Sequence, residues 1–270
     1  MSSSVSSPLA TLGRVLYALS LLGFGVQYAI YGQLRGSLPL CPATLPHHHV
    51  LAYALAAVLI GSSLLLLFSW RTFTVSLALS LLLLACSALY LWPLHGNLND
   101  ALISTFKDAN ARTVFLQCLC FAAAALILHG HAAGAGGRYT LMPGRILFAF
   151  AMVLFGLQHF LDVRYLARLV PHWIHGHHLW VIVTGFALIA CGLAIATTIE
   201  DRYASYGLFL LFAGWLVLLH APRILHHPRS GWEWSSGLVT LGLSGASLLL
   251  AAASGGGSKP ARRKERPWRP

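Results

Sequence analysis

The chain has 270 residues, 57% of them hydrophobic and only 9% charged, with a formal net charge of +11. Globular soluble domains average roughly 45–50% apolar and 25% charged residues, so this composition argues against a soluble enzyme. The basic excess would hint at nucleic acid in a soluble chain; here it belongs to the loops and tail of an integral membrane protein. No phosphate-binding loop, dinucleotide fingerprint, serine-hydrolase elbow or nucleic-acid motif occurs, and no nucleic-acid partner is expected.

Taken in chain order, eight apolar runs bounded by Pro, Gly, His or charged residues predict spans at about 11–31, 50–68, 73–92, 113–129, 145–165, 179–198, 203–220 and 234–253. Their lengths of 17–21 residues fall within the range of about 17–25 that crosses a hydrocarbon core of about 30 Å. The expected fold class is all-α, a polytopic membrane protein of eight transmembrane helices. Arg14 ahead of an apolar run also resembles a secretory signal, but the repeat described below argues that this segment stays. With the amino terminus inside, eleven Lys and Arg fall on the inner side and seven on the outer. The positive-inside rule then places both termini in the cytoplasm.

Comparing the chain with itself at an offset of 131 residues sets Gly13-Arg14-Val15-Leu16-Tyr17-Ala18 on Gly144-Arg145-Ile146-Leu147-Phe148-Ala149. The same offset sets Phe24-Gly25-Val26-Gln27 on Phe155-Gly156-Leu157-Gln158. The chain reads as one four-helix unit used twice, and an even helix number makes the two copies face the same way as two parallel-repeat four-helix bundles. The expected boundaries are residues 1–112 and 113–131 for a degenerate first copy, 132–143 for a cytoplasmic linker, 144–253 for the second copy and 254–270 for a basic, disordered tail. A short interfacial helix is expected near residues 99–108, on the outer surface.

The second copy carries Gly144-Arg145-Ile146-Leu147-Phe148-Ala149, Phe155-Gly156-Leu157-Gln158-His159-Phe160, Val170-Pro171-His172-Trp173-Ile174, Trp180 with Thr184-Gly185, and His220-Ala221-Pro222-Arg223. In this order and spacing it resembles the DoxX-like family of membrane proteins. The resemblance implies a four-helix unit and, in some members, an association with quinone-linked oxidation of reduced sulfur. It departs from the family pattern after Gly185, where Phe186, Ala187 and Leu188 stand in place of an acidic residue.

Twelve of the fourteen histidines fall on the outer side of this topology. Histidine serves as proton shuttle, pH-responsive group and metal ligand, so the one-sided placement suggests a one-sided task, although loop composition alone would also give it. Gln158 and His159 share a helical face with Asp162 in the outer half of the fifth span. Asp162 is read as the acidic residue within or at the edge of a span, where an ionisable group is costly and marks a functional site by default. His159 and Asp162 are therefore the candidate catalytic pair, with His159 oriented by Asp162. Gln158, Trp173, Trp180, His220 and Arg223 are the candidate substrate-binding residues. A structural ion pair of Asp162 with Arg223 or Arg168 is the alternative. His175, His177 and His178 are candidate metal ligands for a divalent ion, although their spacing matches no named zinc signature. Cys86, Cys118, Cys120 and Cys191 read as packing residues, and Gly237, Gly242, Gly245 and Ala246 allow close helix approach within the bundle or in a homo-oligomer.

Three functions stay open at this level. The first is a membrane component of a quinone-linked redox system, with quinone as cofactor and a redox partner protein at its outer face. The second is a noncatalytic scaffold or assembly partner. The third is a metal or small-solute transporter. The lipid bilayer is the expected surrounding in all three, and whether the chain is an enzyme is left open.

Overall fold

The computed structural model describes residues 7–32, 48–91, 103 and 105–254. The basic tail, His47, the side chain of His48 and half of the 99–108 segment lie outside them. Helix starts follow local chemistry. Ser7 accepts a hydrogen bond from the Ala10 amide at 3.2 Å, Pro8 occupies the first turn where its missing N–H is not needed, and α1 spans Pro8–Tyr31. Its end is set by Gly32 at φ +58°, whose amide donates to the Tyr28 carbonyl. That left-handed conformation suits glycine. Asp108 caps α4 (Ala109–Ala132) by accepting from the Ala111 amide at 2.7 Å.

Between them lie α2 (His48–Leu67) and α3 (Thr72–Tyr90). A single 3-10 turn, Gly134–Gly137, leads into α5 (Arg138–Leu161). The expected 132–143 linker is thus shorter than the composition suggested. Pro143 lies inside α5, in its second turn, so the helix begins before the proline rather than after it. The short α6 (Val163–Ala167) precedes α7 (His177–Thr197). Then α8 (Asp201–Trp215) runs through a π turn, Leu216–His220, into α9 (Ala221–His226). The last helix is α10 (Gly231–Ser254). Eight of these segments, α8 and α9 counting as one, are long and apolar enough to cross a membrane. No strand occurs among the described residues. The protein is all-α and reads as multi-pass.

In a bilayer every helix face is apolar, so hydrophobicity does not choose the packing face; close approach at small residues does. A Cβ on Gly245 would lie 2.6 Å from the Gly13 carbonyl oxygen and 2.7 Å from the Tyr17 amide, so α10 and α1 touch backbone to backbone. At Gly156, a Cβ would lie 2.6 Å from the Gly185 carbonyl oxygen, which fixes the crossing of α5 and α7. The helices pair α1 with α2, α3 with α4, α5 with α7 and α8 with α10. Two further seams close the molecule, α1 against α10 and α4 against α5, with α4 and α10 also in contact. The four-helix sets therefore share walls rather than each closing on itself. Buried residues make up 78% of the α4 span and 72% of the α10 span, against 11% for the span that starts at Asp201, so α4 and α10 form the centre.

At one end of the bundle, Arg145 of α5 pairs with Asp201 at the start of α8, and Ser254 at the end of α10 donates to the same carboxylate at 2.8 Å. Asp162 is thus not alone among acidic groups at span edges: Asp201 and Glu233 lie in the first turns of α8 and α10. The sequence reading set both just outside the spans because it began those helices two to three residues late.

Candidate functional site: a chamber in the second half

The low burial of α8 has a local cause. Its inner face, with α4, α5, α7 and α10, encloses a chamber of about 1320 Å³. The α7 wall runs from Trp180 near the mouth to Leu188, a depth of about 12 Å at 1.5 Å per residue. Leu188, Leu210 and Leu243 line the deep part, while Pro171, Trp173 and His175 from the loop before α7 line the mouth. Large, mostly apolar pockets with a few convergent polar groups are the usual form of small-molecule sites.

The chamber gathers His159, Asp162, Gln158, Trp173, Trp180, His220, Arg223 and His175, which come from four separate stretches of chain. Their individual partners differ from expectation. Asp162 does not orient His159. Its carboxylate meets the Arg112 guanidinium at 2.6 Å, and Arg112 also donates to the Phe106 carbonyl at 2.6 Å. Neither Arg223 nor Arg168 is the partner, because Arg223 donates to the Leu169 carbonyl at 3.0 Å and so pins the loop that follows α6. Arg112 is the residue that sequence reasoning missed. It sits 50 residues upstream on a different helix, and it is buried.

His159 is held instead by its own helix and by a ring. Its Nδ1 lies 2.8 Å from the Phe155 carbonyl, and its imidazole stacks on Trp215 with centroids 5.9 Å apart and planes 17° from parallel. A carbonyl only accepts, so Nδ1 carries the hydrogen and Nε2 of the neutral ring is an acceptor. His220 ends the π turn, and its Nδ1 is buried with no hydrogen-bond partner among the described residues. The turn has a covalent reason. Pro222 has no N–H to give, and the Ala221 amide reaches back five residues to the Leu216 carbonyl. His220 and Arg223, three residues apart across the end of that turn, both line the chamber.

Gln158 is 8% exposed and works as a clasp between α5 and α4. Its amide nitrogen lies 2.5 Å from Thr113 Oγ1 and 3.5 Å from the Ala109 carbonyl. The corresponding Gln27 clasps α1 to α10 in the same manner, donating to the Gly231 carbonyl at 3.3 Å and accepting from Ser235 Oγ at 3.0 Å. The two clasps differ at the amide oxygen. That of Gln27 is taken by Ser235, whereas that of Gln158 is buried without a partner among the described residues.

The three candidate metal ligands are not gathered into one group. Among the described residues, no group of three or more His, Cys, Asp or Glu side chains could hold a metal ion. His175 turns to the chamber mouth, His177 and His178 start α7, and the one close imidazole contact in this loop is His172 with His177 at 6.4 Å between centroids. Proximity in sequence did not become convergence, since Gly176 at φ +75° separates the loop from the helix. Cys86, Cys118, Cys120 and Cys191 are thiols in spans.

In comparisons with known proteins, the family described as Domain of unknown function (DUF8561) matches residues 148–219. This interval covers most of α5, all of α6 and α7, and α8 up to the π turn. It therefore spans three chamber walls and holds Gln158, His159, Asp162, Trp173 and Trp180. It leaves out Arg112, His220 and Arg223, together with the α4 and α10 walls. No curated protein and no solved structure matches the chain.

Proposed function

We propose that this is a DoxX-like inner-membrane protein, built from two copies of a four-helix unit, which binds a quinone in the chamber as the membrane component of a redox system. The single observation behind this is the convergence of a histidine, an arginine, an aromatic pair and a buried amide on one apolar chamber. Both termini are read as cytoplasmic, which puts the chamber mouth on the extracytoplasmic side. The matched pairing of α1 with α10 and of α4 with α5, and the two glutamine clasps, support the duplicated unit.

The donor set fits such a group. Leu188, Leu210 and Leu243 offer an apolar bed for a ring or prenyl tail, and the Arg223 guanidinium has N–H groups beyond the one it gives to Leu169. When bound, a quinone supplies reversible exchange of two electrons and two protons. The chain's own part is positional. His159 Nε2 can accept a proton from a hydroxyl head, Trp215 keeps that ring from rotating, and the Arg112–Asp162 pair fixes the outer end of α5 beside it.

Detergent-purified protein is expected to retain about one equivalent of extractable quinone, measured by mass spectrometry, and His159→Ala to lose at least about tenfold of it, which is 1.4 kcal/mol, at unchanged melting temperature. Wild-type protein carrying no quinone and exchanging none would overturn the redox reading. A second reading, a noncatalytic scaffold for a partner protein, is favoured by one observation: Gln158 has a structural twin in Gln27. It predicts the reverse, a lower melting temperature for His159→Ala with no change in ligand content.

A further inference from the structure

We infer that the chamber selects amphiphiles whose polar head donates a hydrogen bond, an O–H or N–H, and that the Gln158 amide oxygen is the acceptor that reads it. The inference rests on the reading of the chamber as a site for a membrane-borne quinone and narrows it to the reduced form, the quinol, whose hydroxyls donate.

The two glutamine clasps serve as an internal control. In the α1–α10 seam, the Gln27 nitrogen donates to Gly231 and its oxygen accepts from the Ser235 hydroxyl, so the amide uses both ends. In the α4–α5 seam the amide meets the hydroxyl with its other end; the hydroxyls themselves are alike, Ser235 reaching the Gly231 carbonyl at 2.8 Å as Thr113 reaches that of Ala109. Thr113 Oγ1 lies 2.7 Å from the Ala109 carbonyl and donates its only hydrogen there, which leaves it an acceptor toward Gln158. The amide nitrogen therefore faces Thr113 and Ala109, both acceptors, and the oxygen is left over. Turning the amide over would strand an N–H2 group with two donors instead of one oxygen, a greater loss in a buried position.

That oxygen is buried with no partner among the described residues, and Gln158, a side chain more than nine-tenths buried, lines a chamber large enough for a ligand. A buried acceptor without a partner is costly and uncommon. Of the neighbouring free valences, His159 Nε2 agrees in kind, an acceptor in the neutral ring, while the spare N–H groups of Arg223 are donors. A site whose buried polar groups await donors rejects an isosteric ligand that has none, because binding it would leave them unpaired.

The test uses the full chain in lipid nanodiscs and two probes of the same apolar body, 4-dodecylphenol and its methyl ether, quantified by mass spectrometry against empty nanodiscs. Wild-type protein is expected to retain the phenol about tenfold more tightly than the ether, the effect of one buried hydrogen bond at 1.4 kcal/mol per tenfold. Gln158→Met should bring the ratio near one, whereas Gln27→Met, at a residue that does not itself line the chamber, should leave it at about ten. Gln158→Asn, which keeps the amide but draws its oxygen back by one methylene, should give an intermediate ratio and serves where Gln158→Met fails to fold. Equal retention of both probes by wild type, or a ratio that survives in the Gln158 variants, overturns the inference while the quinone reading stands. Retention of neither probe overturns both.

Discussion

Arg112→Ala is expected to cost the fold about 3 kcal/mol, and Asp162→Ala a similar amount, measured by reversible unfolding in mixed micelles. The reason is the environment of the pair. The Arg112 side chain is 9% exposed and that of Asp162 24%, so removing either member strands the other in a poorly hydrated position at the chamber rim. Arg112 also loses its bond to Phe106, which ties the segment before α4 to the same point. The double replacement Arg112→Met with Asp162→Leu should recover most of the loss, because a well-packed apolar pair removes the desolvation cost along with the attraction. A single variant as stable as wild type would show that the pair does not hold α4 to α5.

Gly245→Ala is expected to destabilise by about 2 kcal/mol, near the middle of the range for added methylenes in a packed core, and Gly245→Val by more. A Cβ there meets the Gly13 carbonyl oxygen at 2.6 Å and the Tyr17 amide at 2.7 Å, and backbone atoms cannot rotate out of the way as a flexible side chain would. Gly61→Ala in α2 is the matched control. Nothing lies within 4 Å of its Cβ position, so the better helix propensity of alanine should act alone and raise stability by up to about 1 kcal/mol. The same unfolding transition reads both. An equal response of Gly245→Ala and Gly61→Ala would remove the close approach as the basis of the α1–α10 seam.

The spans were legible because a bilayer demands length and apolarity, and both are sums over a window rather than properties of one contact. Their ends were less so. Helix α5 begins at Arg138 although Pro143 suggests a later start, and α8 and α10 take in Asp201 and Glu233 because a charge in a first turn can still reach the interface. For the chamber, hydropathy and spacing singled out His159, Asp162, His220 and Arg223, all of which line it. Their partners stayed hidden. Arg112 and Thr113 meet α5 only through the crossing of α4, a relation that no periodicity along one helix encodes. The Gln27 and Gln158 motifs matched at an offset of 131 residues, yet their receptors Gly231 and Ala109 are only 122 residues apart, so self-comparison at one offset does not reveal the common clasp. The histidine-rich loop misled in the opposite direction, because residues adjacent in sequence diverge where a left-handed glycine turns the chain.

The seam between α1 and α10 has a consequence for how the molecule is made. Ser20 Oγ donates to the Leu238 carbonyl at 2.5 Å, a contact between residues 218 positions apart. At synthesis rates of about 5–20 residues per second, α1 is in the bilayer for ten seconds or more before its main partner is translated. During that interval the glycine face of α1, with Tyr17 and Phe24 beside it, has only α2 and the edge of α4 for protection. The centre of the protein is therefore the last part to assemble. A ribosome that stalls before α10 leaves α1 without the surface that retains it, and such a nascent chain is an early target for membrane quality control.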